Sequence, residues 1–219
     1  MGSVLGELLP LAVGVAISPI PIVAAILMIL SRNGSGAAIG FALGWVFGIA
    51  LATTVVVLIA GAADGSGSRE PSAAVSWVKL ALGVLLLVVA AAQWRQRRDT
   101  DPPGWMRAID EFTAVKAAGT AVVLAAVNPK NLLLCVSAGV TIGASDLGTG
   151  GQVVAVLVFT ALAAASVLGV VLGYLLAAQR LRPALDSARV WLQANNHAVM
   201  AIVLLLMGAV LVGKGIGGL

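Results

Sequence analysis

Six long apolar stretches occupy most of this 219-residue chain and leave no room for a soluble domain. They run from about Val4 to Leu30, Ala37 to Ala60, Ala74 to Trp94, Thr113 to Ile142, Val153 to Ala178 and Ala198 to Gly213. A helix that crosses a bilayer needs about 20 mostly apolar residues. With 60% hydrophobic and 10% charged residues, the chain falls far from soluble domains, in which roughly a quarter of residues are charged. The pattern predicts an all-α polytopic membrane protein, folded as a single transmembrane domain over residues 1–219. The first stretch is not read as a cleavable signal peptide. It opens with MGSVLGELLP, carries the acidic Glu7 in place of a positive start, and is too long.

The connections set an orientation. Arg95, Arg97, Arg98, Arg107 and Lys116 crowd a basic loop of about residues 95–116; Arg180, Arg182 and Arg189 follow the fifth stretch, and Arg32 follows the first. The other connections carry Asp64, Arg69, Glu70 and Lys79, then Asp146, then Lys214. Cytoplasmic loops are enriched in Lys and Arg, which predicts three basic loops inside and both termini outside. The formal net charge of +4 is then a matter of topology and gives no reason to expect nucleic acid as a partner. Trp77, Trp94, Trp105 and Trp191 lie near span ends, where aromatic belts form.

Three spans per half is an odd number, so the second half must enter the membrane the other way up. The expected arrangement is two inverted three-helix repeats, about 1–98 and about 110–219. Span two carries a small residue every fourth position (Gly36, Gly40, Gly44, Gly48, Ala52), and span five repeats this with Ala161, Ala165, Gly169, Gly173 and Ala177. Such rows let helix backbones approach closely in a bilayer, and both are expected to be packing seams. Thr53 and Thr54 near the end of span two are candidates to line a path.

Spans one and four share an interruption. One reads AISPIP from Ala16 to Pro21 and the other AVNPKN from Ala126 to Asn131; Pro19 and Pro129 are 110 residues apart. Proline lacks an N–H and clashes with the carbonyl four residues back, so each motif frees acceptors that hydrocarbon cannot satisfy. Such breaks occur where backbone is buried in protein or lines a watery cavity. Broken helices at matching depth in two halves point to a transporter's binding site. A lone proline would suggest only a structural kink, but one of these two matched clusters also holds Lys130. A lysine at a helix centre costs about 2.5–3.5 kcal/mol on insertion scales. No Asp or Glu lies deep in any span, Glu7 near the outer end of span one being the nearest. The expected partners of Lys130 are carbonyls, water or an anionic substrate group in a polar cavity. The amides of Asn128 and Asn131 can cap freed backbone or hold a ligand. The remaining alternative is a lysine that faces a water crevice with no ligand.

These residues resemble the lysine-exporter (LysE) superfamily of small six-span bacterial exporters, and most closely its peptidoglycolipid-addressing branch, the GAP and Sap proteins. The resemblance is carried by LLPLAVGVAISPIPIVAAILMILS from Leu8 to Ser31, the glycines of GFALGWVFG from Gly40 to Gly48, and NPKNLLL from Asn128 to Leu134. It extends over essentially the whole chain. Amino-acid exporters of the superfamily more usually show a GPxP-like turn, so Ser18 favours the lipid branch. The resemblance implies a multi-pass protein of the bacterial plasma membrane that exports a lipid or glycolipid of the envelope, such as a glycopeptidolipid or sulfolipid. It also implies substrate-binding roles for Ser18, Pro19, Pro21, Asn128, Pro129, Lys130 and Asn131. Export of amino acids or similar metabolites is the alternative. A second alternative is a non-transporting membrane partner of a lipid-export machine. A homo-oligomer and a partner from envelope-lipid biosynthesis both stay open.

Other chemistries lack their residues. Thiol–disulfide carriers need two cysteines, and only Cys135 is present. Divalent-metal sites need clustered His, Asp or Glu, whereas the one histidine, His197, follows Asn195 and Asn196 as an interfacial polar residue would. GKGIGGL near the C-terminus lacks the P-loop pattern. No nucleophile, base and orienting group can be assembled, so neither catalysis nor a cofactor is expected.

Overall fold

The computed structural model describes residues 1–31, 33–63, 73–96 and 112–217, and among these there are helices and no strands. The order is α1 (Gly2–Ala16), α2 (Pro19–Leu30), α3 (Gly34–Ala63), α4 (Ala73–Arg95), α5 (Ala114–Val127), α6 (Pro129–Gly143) and α7 (Thr149–Ile216). Four stretches are long and apolar enough to cross a membrane: Gly34–Gly61, Val75–Arg95, Thr149–Ala177 and Pro183–Ile216. Two bent pairs raise the number to six if each is one span. α1 and α2 meet at 50°, and α5 and α6 at 71°. The chain is therefore a multi-pass helical membrane protein. Arg32, Asp64, Arg69, Glu70, Arg97, Arg98, Trp105 and Arg107 lie outside the described residues.

The fifth and sixth spans both form, but the sixth starts earlier than expected. They are two helices, Thr149–Ala177 and Pro183–Ile216, joined across a kink at Ala177, whose dihedrals are non-helical (φ −146°, ψ 46°). The second arm begins at Pro183, not at Ala198. Arg180 thus lies at the junction between the two spans, and Arg189 on the early turns of the sixth. The physical reason is that Leu181 to Asn196 is helical but not uniformly apolar. Leu185 is buried while its polar neighbours Asp186, Ser187 and Gln193 are not, so a hydropathy count registers only the later part of the arm.

The glycine rows likewise divide. On α3, a Cβ at Gly40 or Gly44 would run into the backbone of Ala114 or Ala118, and one at Gly48 would come within 2.8 Å of Ala125 Cβ. This row is the α3–α5 seam. Gly36 lies beyond it, in open space. On α7 most of the row is not a seam: Ala161, Ala165 and Gly169 are exposed on the outer face, and nothing lies within 4 Å of a Cβ at Gly169, although one at Gly173 would come within 3.2 Å of the Leu181 side chain. Small residues permit close approach but do not dictate it. A seam that the spacing did not show joins α4 to α7, where Gly83 abuts Val212 and Gly208 abuts Leu87.

Contacts at the two ends of the bundle gather different parts of the chain. At one end Glu7 of α1 pairs with Lys79 of α4 at 3.6 Å and with Lys214 of α7 at 3.2 Å. The α6–α7 connection, through Ser145 and Asp146, lines the same pocket as Glu7 and Lys79. Elsewhere, Asn33 Nδ2 in the α2–α3 turn donates to the Phe112 carbonyl just before α5, at 3.1 Å. Trp77, Trp94 and Trp191 are about half exposed, whereas Trp45 stacks on Phe41 within the core.

Candidate substrate-binding site

Each proline motif ends one helix and starts another. In the first, Pro19 occupies the opening turn of α2, where its missing N–H would be unpaired in any case. The break leaves the Ala16 carbonyl without its usual helical donor, and the Ser166 hydroxyl of α7 donates to it. In the second, Asn128 is at once the last residue before the bend and the cap of α6. Its Oδ1 accepts from the Lys130 backbone N–H at 3.2 Å.

Ser18, by contrast, does not cap its own helix. Its Oγ accepts instead from Asn131 Nδ2 at 3.4 Å, across 113 residues of sequence. The two breaks therefore touch. Two helix N-termini, those of α2 and α6, converge at this contact, and the partial positive charge of a helix N-terminus favours anions.

Lys130 is fully buried, and its Nζ has no hydrogen-bond partner among the described residues. Asn131 Oδ1 is likewise buried and unpaired among them. Lys130 is the one charged side chain among the buried residues described. Beside it lies a cavity of about 730 Å³. Ile20 of α2, Val89 and Gln93 of α4, Lys116, Thr120, Val123, Leu124 and Val127 of α5, and Met200 of α7 form its walls, with Asn128, Pro129 and Lys130 at the α6 end. Val123 and Val127 are largely exposed, so the cavity borders the lipid-facing surface of α5.

Of the residues singled out from sequence, Asn128, Pro129 and Lys130 line the cavity. Ser18, Pro19, Pro21 and Asn131 are buried behind them and are not among its lining residues. The cavity's walls are mainly apolar, in contrast to the polar chamber expected around Lys130. Thr53 is buried and Thr54 exposed, and neither reaches the cavity. Gln93, Lys116, Thr120 and Met200 were not legible as site residues. His197 is not a plain interfacial residue either: its Nδ1 lies 2.6 Å from Gln93 Oε1. Cys135 is buried and free.

A family model described as Sap, sulfolipid-1-addressing protein, matches residues 8–217. The chain belongs to this family. The match spans both breaks and the whole cavity, so the site just described is built entirely of residues within the family's extent. The family ties the protein to sulfolipid addressing at a membrane. Comparison with curated proteins and with solved structures gives no significant match.

Proposed function

We propose that the protein is a small secondary-type transporter that exports an envelope lipid or glycolipid with an anionic or polar head. The observation that carries this reading is the meeting of the two breaks. Ser18 and Asn131 join them beside a buried lysine that has no partner among the described residues, at the end of an apolar cavity that borders the lipid-facing surface. Transporters place substrate sites at interrupted helices near the midplane. Lys130 and two converging helix N-termini supply positive potential, and the apolar walls suit an acyl chain better than a zwitterionic amino acid. Membership of the sulfolipid-1-addressing family favours the same substrate class.

In this reading each bent pair is one span, giving six spans in two inverted repeats, as the resemblance to the lysine exporters implies. The ion pairs of Glu7 support it, because six spans bring the N-terminus, the start of α4 and the end of α7 to one face. That face is external, and the membrane is the bacterial plasma membrane. Transport proceeds without catalysis, cofactor or metal.

The test is lipid export from proteoliposomes or cells by wild type and Lys130→Ala, with amino-acid flux measured in parallel. Loss of lipid export with folded protein retained supports the reading. Wild-type export by Lys130→Ala overturns the site, and flux of amino acids alone overturns the substrate class.

A further inference from the structure

The cavity has two ends of different character. Lys130 closes one, yet it is fully buried and its Nζ is withdrawn from the accessible surface. At the other end Lys116 is exposed on the first turn of α5, with Thr120 one turn further; Gln93, which also lines the cavity, lies in the last turn of α4, the end from which the chain leads to the start of α5. Gln93 Oε1 is 2.6 Å from His197 Nδ1. A carboxamide oxygen only accepts, so His197 donates here, and this contact does not use the Gln93 amide N–H groups. No Asp or Glu is among the described lining residues, so the cavity offers fixed charge of one sign only.

The two ends are well separated. Lys116 and Asn128 are 12 residues apart, about 18 Å along a helix that rises 1.5 Å per residue. Val123, Leu124 and Val127 lie between them on α5, and Val89, Ile20 and Met200 also line the cavity. One headgroup cannot touch Lys116 and Lys130 together. In this conformation the lysine nitrogen open to an incoming anion is that of Lys116.

We propose that Lys116 and Gln93 form an entry subsite for the headgroup, distinct from Lys130. It binds the oxyanion of an amphiphile (a sulfate, phosphate or carboxylate) while the tail lies along the α5 groove toward Asn128. The ammonium supplies charge, and the Gln93 amide supplies a neutral donor held in place by His197. The subsite deepens the transport reading, in which it is where the lipid first docks, but its binding can be measured without any flux.

The experiment uses the full chain in nanodiscs of zwitterionic lipid. The probes are an alkyl sulfate and an alkyl alcohol of equal length, each with a photoreactive group in the chain, and crosslinks are mapped by mass spectrometry. The sulfate should label α5 between Gly119 and Val127 at about tenfold lower concentration than the alcohol, the effect of about 1.4 kcal/mol of headgroup binding. Lys116→Gln and Gln93→Leu should each remove most of that preference, Lys116→Arg should keep it, and Lys130→Ala should leave it in place. Equal labelling by the two probes in wild type overturns the subsite. So does a preference that survives Lys116→Gln, or one that vanishes in Lys130→Ala while Lys116→Gln retains it. A chain that moves no lipid but keeps the preference refutes the transport reading and sustains the subsite.

Discussion

Replacing Lys130 with methionine should make the protein more stable and inactive. The side chain is fully buried and its nitrogen has no partner among the described residues. An unsatisfied buried polar group costs about 1–3 kcal/mol, and a charge at a span centre about 2.5–3.5 kcal/mol on insertion scales. Methionine keeps an unbranched, adaptable chain of similar reach, so most packing survives. The expected gain is roughly 1–3 kcal/mol. At about 2–4 °C per kcal/mol for a protein of this size, the melting temperature should rise by roughly 2–12 °C. Lys130→Ala removes about three further methylenes, each worth about 0.8 kcal/mol, which offsets the gain and leaves stability near wild type. Lys130→Arg should recover only part of the transport, because a planar guanidinium does not replace a compact ammonium in an enclosed space. Cys135 supplies the assay: it is free and fully buried, so a thiol-reactive fluorophore should label it only on unfolding. A Lys130→Met variant that melts several degrees below wild type would refute the reasoning, since it would mean the nitrogen has a stabilising partner.

Gly44→Leu should destabilise by about 1–3 kcal/mol or more, because its side chain meets the Ala118 backbone, while Gly36→Leu and Gly169→Leu should stay within about 0.5 kcal/mol of wild type. The same thermal assay checks this, and equal losses at all three positions would contradict the assigned seam. A double-mutant cycle of Ser18→Ala and Asn131→Ala should show a coupling of about 0.5–1.5 kcal/mol; strict additivity would mean that the breaks are not joined. Cysteine placed at Ser145 should react with an impermeant reagent from outside, and at Thr100, outside the described residues, only from inside. A cytoplasmic Ser145 would overturn the proposed orientation.

The sequence revealed the helices well where composition alone decides them. Four stretches and two bent pairs correspond to the apolar runs, because a bilayer demands about 20 apolar residues whatever their order. The breaks were legible for an equally local reason, since a proline disrupts its own turn wherever it sits. Partnership was not. Nothing in AISPIP says that Ser18 reaches Asn131 rather than capping α2, and a row of small residues looks alike on α3, where it packs, and on α7, where most of it is exposed. Gln93 and His197 each read as an ordinary polar residue near a span end until packing of α4 on α7 brings them within hydrogen-bond distance. The helical turns after Ala177 were missed because a mixed polar and apolar stretch scores low on hydropathy while still folding as helix.

The bond from Ser166 to the Ala16 carbonyl spans 150 residues, and those residues are made in order. At ribosomal rates of about 5–20 residues per second, the first break waits roughly 8–30 seconds for the hydroxyl that completes it. Asn131 arrives earlier, but it too belongs to the second half. During that interval a bent segment with an orphan carbonyl has to be held by water, lipid headgroups or the insertion machinery. The first half of the chain, expressed alone, should therefore be a poor membrane protein, and its yield should improve when the second half is supplied as a separate polypeptide.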